Sequence, residues 1–159
     1  MDMTREAFDR LVQEHERTVR ALAMAYCRDD HAADDVVQDT FWRAWRSVDG
    51  LRDPSALKTW LYALARHTAL DHLRARRRRA TEELNMHVAA PEKEEKGDLV
   101  DRVVRAVDGL REDYRQILLL RYVEKLSYAE IGEALGLKPG AVGEKLHRVR
   151  KMVMEKFGL

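Results

Sequence analysis

Cysteine is nearly absent from this sequence of 159 residues, which contains only Cys27. A single thiol excludes an intramolecular disulfide, so helix packing must hold the fold together. The sequence has no run of 18 uncharged apolar residues and no signal-peptide pattern. We therefore expect a cytoplasmic protein with no membrane insertion.

Patterns typical of enzymes and metalloproteins are also missing. We find no catalytic dyad and no phosphate-binding glycine loop. His15, Cys27 and His31 fit no metal-ligand spacing, and His67 and His72 would lie on different sides of a helix. We expect no enzymatic activity, no cofactor and no metal, and we interpret His15, on an apolar helix face, as a core histidine.

The formal net charge of +1 conceals a strong segregation of charge along the chain. Residues 46–79 contain nine Lys or Arg against three Asp or Glu, whereas residues 1–45 contain six against ten. Residues 80–98 contain two against six and lack apolar periodicity. A basic block between acidic blocks can attract nucleic acid. This pattern predicts domains at 1–79 and 99–159, joined by a flexible acidic linker at 80–98.

Apolar residues recur every three or four positions within both predicted domains, which predicts an all-α fold. The first domain should have three helices: one ends near Arg28, a second is capped by Asp30, and a third begins at Asp53 and Pro54. The second domain should have four, the first of them at 99–107.

The second predicted helix has an outward face with a large aromatic residue among polar ones. Its members share offsets of three and four: Asp35, Gln38, Asp39, Trp42 and Arg46. An exposed tryptophan beside charged residues is typical of a protein–protein hot spot. The alternative is that a neighbouring helix covers Trp42.

The third predicted helix combines an aromatic residue with many basic ones. Lys58, Tyr62 and Arg66 share one side, and the helix ends in Arg74, Arg76, Arg77, Arg78 and Arg79. Rings that stack on bases beside cations that contact phosphates suit single-stranded DNA. The alternative for the arginines is a solvated helix end.

Residues 126–151 have the pattern of a helix-turn-helix. Ser127 and Glu130 form a capping-box spacing, Gly136 suits a helix end, and Pro139 suits the first turn of the next helix. The outward face and margins of that second helix are mostly polar or small: Gly140, Ala141, Gly143, Glu144, Lys145, His147, Arg148 and Lys151. Such a face suits DNA. An ordinary helical hairpin with a solvated basic face is the alternative.

The order of these segments resembles the extracytoplasmic-function sigma factors of the bacterial sigma-70 family. In the first domain, the resemblance depends on HAADDVVQDTFWRAW, LKTWLYALARHTALDHLR and the arginine run. In the second, it depends on EDYRQILLLRYVEKLSYAEIGEALGLKPGAVGEKLHRVR. It covers nearly the whole chain.

The resemblance implies that the chain binds core RNA polymerase at the clamp and flap and recognises promoter DNA. It places Asp35, Gln38, Asp39, Trp42 and Arg46 at the clamp. Single-stranded DNA of the −10 box would meet Ser47, Arg52, Lys58, Tyr62, Arg66, His67 and the five arginines. Duplex DNA of the −35 box would meet the outward face of the last helix, and an anti-sigma factor is a further expected partner.

Three positions depart from the family pattern. His67 stands where Asn is usual, Gly132 where Ala is usual, and Ala141 to Lys145 replace Thr-Val-Lys-Ser-Arg with Ala-Val-Gly-Glu-Lys. Two alternatives to a promoter-specificity subunit remain, and these departures bear on the first of them. One is a sigma-like decoy that binds an anti-sigma protein, and the other is a stand-alone helix-turn-helix repressor.

Overall fold

A computed structural model gives the fold and describes residues 2–82 and 110–157. These residues form helices and turns without any strand, which confirms the all-α prediction. The helices are α1 (Arg5–Cys27), α2 (Asp30–Ser47), α3 (Leu57–Glu82), α4 (Glu112–Leu118), α5 (Tyr128–Leu135) and α6 (Pro139–Phe157). Short 3₁₀ turns occur at Val48–Gly50 and Pro54–Ala56, and a π-helical turn at Leu119–Val123 follows α4.

The helix ends in the first domain follow local capping chemistry. α1 ends where Arg28 adopts a left-handed conformation with a φ of 53°. Asp29, not Asp30, caps α2 through its side chain, which accepts from the backbone N–H groups of His31 and Ala32. The prediction of Asp30 was wrong by one position, because Asp29 has the extended backbone that a cap requires and Asp30 is already helical.

The first domain packs α1, α2 and α3 around a shared apolar interior. Leu22, Val36 and Leu61 are completely buried, one from each helix. Cys27 is also buried, and its burial raises the pKa of the thiol, which favours the inert neutral form. His15 lies on the inward side of α1 with Nδ1 2.8 Å from the Tyr62 hydroxyl, which confirms its interpretation as a core histidine.

The helix-turn-helix has the predicted caps. The Ser127 hydroxyl accepts from the Glu130 N–H at 3.1 Å, and the Glu130 carboxylate accepts from the Ser127 N–H at 3.0 Å. Gly136 ends α5 with a φ of 69°, and α6 begins at Pro139. Leu146 and Val149 are buried on the inner side of α6, as their spacing predicted.

The two domains share one continuous apolar core. Leu22 and Leu61 of the first belong to the same buried cluster as Ile117, Leu120 and Ile131 of the second. Helix α3 lies between α1 and α2 on one side and α5 on the other, and it extends past residue 79 to Glu82. The predicted linker beyond that point and the predicted helix at 99–107 lie outside the described residues.

Candidate nucleic-acid and protein interfaces

The outward face of α2 is exposed, as its pattern predicted. Trp42 is 59% exposed, so no neighbouring helix covers it. The Arg46 guanidinium lies 5.9 Å from the Trp42 ring centroid, a cation–π distance that can hold the indole in place. Asp35, Gln38, Asp39 and Trp42 line an open groove of about 330 Å³. The structure thus brings all five residues of the proposed clamp-binding set together.

Asp39 also connects α2 to α3. Its carboxylate lies 2.9 Å from His72 Nε2 and 3.1 Å from Arg43 Nη2. Arg43 in turn donates to Asp71 at 2.8 Å, and this hydrogen bond is the main reason that the pKa of Asp71 is lowered. The network fixes the orientation of α2 relative to α3, so Asp39 has a structural role that its sequence spacing did not indicate.

The predicted −10 residues divide into an exposed group and a covered group. The exposed group is Ser47, Arg52, His67, Arg74, Arg76, Arg77, Arg78 and Arg79. Several of these arginines have nearby acceptors: Arg74 donates to Asp71 at 3.3 Å, Arg76 to the Cys27 carbonyl at 3.1 Å, and Arg79 to the Ala75 carbonyl at 3.4 Å. The exposed group therefore presents a basic surface along the end of α3.

The covered group is Tyr62, Lys58 and Arg66: Tyr62 is buried, so its expected exposure was wrong, and Lys58 and Arg66 are half-buried. Tyr62 has no exposed surface, and burial is the main reason that the pKa of its hydroxyl is raised. Lys58 Nζ lies 2.9 Å from the Glu124 backbone oxygen and 3.2 Å from its carboxylate. Arg66 Nη1 lies 3.8 Å from the Cβ position of Gly136. These side chains are covered because the second domain packs on this side of α3, which the spacing within one helix could not indicate.

The outward face of α6 is a row of exposed positions related by offsets of three and four. It consists of Gly140, Glu144, His147, Arg148 and Lys151. Ala141 is half-buried at its edge. The row has the geometry of a helix that could enter a DNA major groove.

Two residues predicted to face DNA are directed into the domain instead. Lys145 Nζ donates to Asp113 at 2.7 Å and lies 5.6 Å from the Tyr114 ring centroid. Burial raises the pKa of Asp113, but the Lys145 ammonium outweighs it and the net pKa is lowered. Gly143 faces α5, since a Cβ there would lie 3.5 Å from Tyr128 Cε2. Both residues lie at the margin of the basic face of α6. Helices α4 and α5 cover that margin.

An apolar groove on the second domain was not identified in the sequence. It has a volume of about 510 Å³ and is lined by Arg115, Leu118, Leu119, Tyr122, Val123, Arg150, Val153 and Met154. Tyr122, Val123 and Met154 are all exposed. The available signal was the segment at 118–123, in which every residue except Arg121 is apolar or aromatic, more than one buried helix face can use.

Contacts between the domains were also missed. The Tyr26 hydroxyl donates to Gln116 Oε1 at 3.0 Å, and the Thr18 hydroxyl donates to the Glu124 carboxylate. These pairs are separated by 90 and 106 positions in sequence. No local pattern could have indicated them.

Neither a metal site nor a membrane span is found within the ranges 2–82 and 110–157. No group of three or more His, Cys, Asp or Glu side chains there is arranged to hold a metal ion. None of the helices there is long and apolar enough to cross a bilayer.

Comparison with known proteins identifies the family. Residues 11–79 match the family described as Sigma-70 region 2, and residues 101–153 match Sigma-70, region 4. The chain is 33% identical to the ECF RNA polymerase sigma-E factor of Haemophilus influenzae, across 96% of this chain and 88% of that protein. It is 31% identical to the RNA polymerase sigma-H factor of Pseudomonas aeruginosa, across 94% of this chain and 85% of that protein.

Solved structures show the same fold. The sigma factor RpoE of Bartonella quintana, in complex with the anti-sigma factor NepR, aligns with a TM-score of 0.75 at 24% identity, covering 96% of this chain and 97% of that one. CnrH in complex with the cytosolic domain of CnrY aligns with a TM-score of 0.66 at 26% identity, covering 98% and 90%. The two matched sigma regions, in this order and over nearly the whole chain, show that the protein belongs to the extracytoplasmic-function sigma factors, the subunits that direct bacterial RNA polymerase to promoters and initiate transcription.

Proposed function

We propose that the exposed face of α2 binds the clamp of core RNA polymerase and that Trp42 is its main anchor. The observation that carries this is the 59% exposure of Trp42 beside Asp35 and Gln38. An apolar ring of this size in a polar surround gains most when a partner covers it. The chain would act without catalysis of its own, and a cytoplasmic location follows from the location of the polymerase.

Promoter recognition would be divided between the domains. The basic end of α3, with Arg52 and His67, would hold the melted −10 strand, joined by Lys58, Tyr62 and Arg66 when these are uncovered. The exposed row on α6 would meet the −35 duplex. Lys145 and Gly143 would support α6 from inside rather than contact DNA, given their contacts with Asp113 and Tyr128.

The apolar groove of the second domain would take a polymerase helix at the flap. Its exposed lining is almost entirely apolar, and Arg115 and Arg150 also contribute to it. A groove of this kind suits the apolar face of an amphipathic helix. An anti-sigma partner is also proposed for this chain, supported by the two solved relatives, whose structures are complexes with such proteins.

Substitution of Trp42 tests the α2 proposal. Trp42→Ala should weaken capture of purified core polymerase by about 2 kcal/mol, the scale of a hot-spot loss. Gln13→Ala removes an exposed side chain from α1 and should leave capture unchanged. A substitution of Trp42 is easier to interpret than one of Asp39, because Asp39 also bonds His72 and Arg43 and its loss could disturb the fold.

Circular dichroism should show both variants folded. If a folded Trp42→Ala protein captured polymerase as well as wild type does, this face of α2 would not be the polymerase-binding surface. Run-off transcription from genomic fragments, with core polymerase and this protein, tests the sigma-factor function against the two alternatives. Neither a decoy nor a stand-alone repressor would support transcription.

A further inference from the structure

Two methionines near the end of α6 present their thioether sulfur atoms to solvent. Met152 is 44% exposed and Met154 is 50% exposed, whereas Met3 and Met24 are only half-buried or less accessible positions of the first domain. A thioether reacts with peroxides without any prior ionisation, so exposure largely decides which methionine is oxidised. Within the described residues, the end of α6 is therefore where methionine sulfur is most open to an oxidant.

Cys27, the single thiol of the chain, is a much poorer target. It is buried, and burial raises the pKa of its thiol, so little of the reactive thiolate forms at neutral pH. Oxidation of cysteine begins from the thiolate. A peroxide should therefore oxidise the two exposed methionines before it reaches this thiol.

The two exposed methionines have different surroundings. Met154 lines the apolar groove of the second domain together with Leu119, Tyr122 and Val123, and Met152 does not line it. The two residues are more than half a helical turn apart, so they lie on different sides of α6. The groove is open, since Val123 is 63% exposed. Oxidation of Met154 therefore changes the chemistry of the groove, whereas oxidation of Met152 leaves its lining as it is.

We propose that Met154 is an oxidation site through which a peroxide controls what the apolar groove binds. The sulfur lone pair attacks one oxygen of hydrogen peroxide, the O–O bond breaks, and proton transfer leaves methionine sulfoxide and water. Sulfur is thereby oxidised and the peroxide is reduced. A thiol-dependent methionine sulfoxide reductase reverses the step: the oxygen leaves as water, and a pair of thiols becomes a disulfide.

The sulfoxide oxygen is a polar acceptor placed in a lining whose exposed surface is almost entirely apolar. A partner that covers Met154 must remove this oxygen from water, and this costs free energy unless a donor replaces the lost water. Oxidation therefore weakens binding in the groove. This effect on the polymerase rests on the groove function proposed above, whereas the oxidation of Met154 itself does not.

The test uses the full-length chain, treated with hydrogen peroxide, quenched with free methionine and desalted before polymerase is added. Tandem mass spectrometry locates the added oxygen on Met152 or Met154, which share one tryptic peptide. Biolayer interferometry then measures the affinity for purified core polymerase. Circular dichroism checks that the oxidised protein is folded.

Three variants separate the effect of Met154 from other oxidation. Met154→Leu keeps an apolar side chain of similar volume but has no sulfur, and Met152→Leu is the matched control on the other side of α6. Met154→Gln imitates the polarity of the sulfoxide without an oxidant. Peroxide should weaken polymerase binding about tenfold in wild type and in Met152→Leu, and it should leave Met154→Leu unchanged.

Two further results are expected if the sulfoxide itself is responsible. Met154→Gln should bind polymerase about tenfold more weakly than wild type before any treatment. Incubation of oxidised wild type with methionine sulfoxide reductase and a thiol should restore its affinity. An equal loss in treated wild type and treated Met154→Leu would overturn the proposal, as would a Met154 left unoxidised where Met152 is oxidised.

Val123→Asp distinguishes a failure of this proposal from a failure of the groove function, because it places a charge on the lining without changing Met154. If Val123→Asp weakens polymerase binding but peroxide and Met154→Gln do not, control by oxidation is overturned and the groove remains a polymerase surface. If none of the three weakens binding, the groove function is overturned, and control of polymerase binding by Met154 is overturned with it.

Discussion

Glu144 is an exposed carboxylate on the face of α6 that we propose enters the −35 major groove. A carboxylate repels phosphates, but it can accept a hydrogen bond from cytosine N4, and such a contact discriminates by about 1–3 kcal/mol. Arg148 and Lys151, exposed on the same face, can hold the phosphates. Lys145 cannot share that task while it is bound to Asp113.

Glu144→Gln and Glu144→Ser should therefore both lose preference for one base of a −35 box with randomised sequence. The measurement is selection of duplexes by the polymerase holoenzyme, followed by sequencing. If both variants gain affinity without losing preference, Glu144 acts only by repulsion, which fits a decoy. If neither property changes, Glu144 contacts solvent in the complex.

Individual residues also mark the limit of what the sequence could predict. Trp42 was predicted exposed and is exposed, because one helix and its polar neighbours determine that outcome. Tyr62 was predicted to face DNA and is buried, because its exposure depends on where the second domain packs. Helical spacing assigns a residue to a side of its helix, but it does not say what covers that side.

The turn between α5 and α6 depends on Gly132, where the family usually has alanine. A Cβ on Gly132 would lie 2.4 Å from the Leu137 backbone oxygen, and the Leu137 N–H donates to the Gly132 oxygen at 2.7 Å. Alanine would gain up to about 1 kcal/mol of helix propensity. The backbone contact outweighs this gain, because the carbonyl cannot move without disturbing the turn.

We expect Gly132→Ala to lower the free energy of unfolding by about 1–3 kcal/mol, the usual scale of steric strain in a packed site. Gly140→Ala is the matched control, since nothing lies within 4 Å of a Cβ there and helix propensity alone should apply. Urea denaturation of both variants measures the difference. A Gly132→Ala protein as stable as Gly140→Ala would mean that the turn relaxes at little cost.

At the scale of elements, the sequence predicted most helix ends, but it predicted less well which neighbours pack against each helix. Ser127, Gly136 and Pro139 act within a turn of their own position, so their spacing was enough. Helix α3 buries Leu61, Tyr62 and Ala65 in the shared core, and Leu57, Trp60 and Leu64 are partly buried against it. Apolar residues on several sides of α3 were the signal that helices pack on more than one side of it.

At the scale of the whole molecule, the domain contact places a histidine and a carboxylate in one buried region. His15 bonds Tyr62, and the Tyr62 hydroxyl also bonds Glu124, which accepts from Thr18 as well. Burial raises the pKa of Glu124, but hydrogen bonds from Thr18, Tyr62 and Lys58 outweigh it, so the net pKa lies below its ordinary value of 4.5. The carboxylate therefore stays charged at neutral pH and keeps its partners.

Burial also lowers the pKa of His15 below its ordinary value of 6.5, while the nearby Glu124 and Glu14 carboxylates oppose that shift. The unfolded chain then binds a proton at a higher pH than the folded chain does, so the free energy of unfolding rises with pH in this window. The contribution of His15 is fully present above pH 6.5 and is lost as the pH falls toward the folded pKa. The lowered pKa of Glu124 also makes the free energy of unfolding rise with pH, but in a lower range, below about 4.5.

Wild-type protein should therefore lose stability between pH 7.5 and 5.5, and His15→Gln should lose less over the same interval because it has no imidazole to protonate there. Urea denaturation at several pH values measures both profiles. His31→Gln, which replaces an exposed histidine at the start of α2, should keep the wild-type slope. Parallel profiles for His15→Gln and wild type would mean that His15 is as well solvated in the folded protein as in the unfolded chain, and would contradict its burial beside the domain contact.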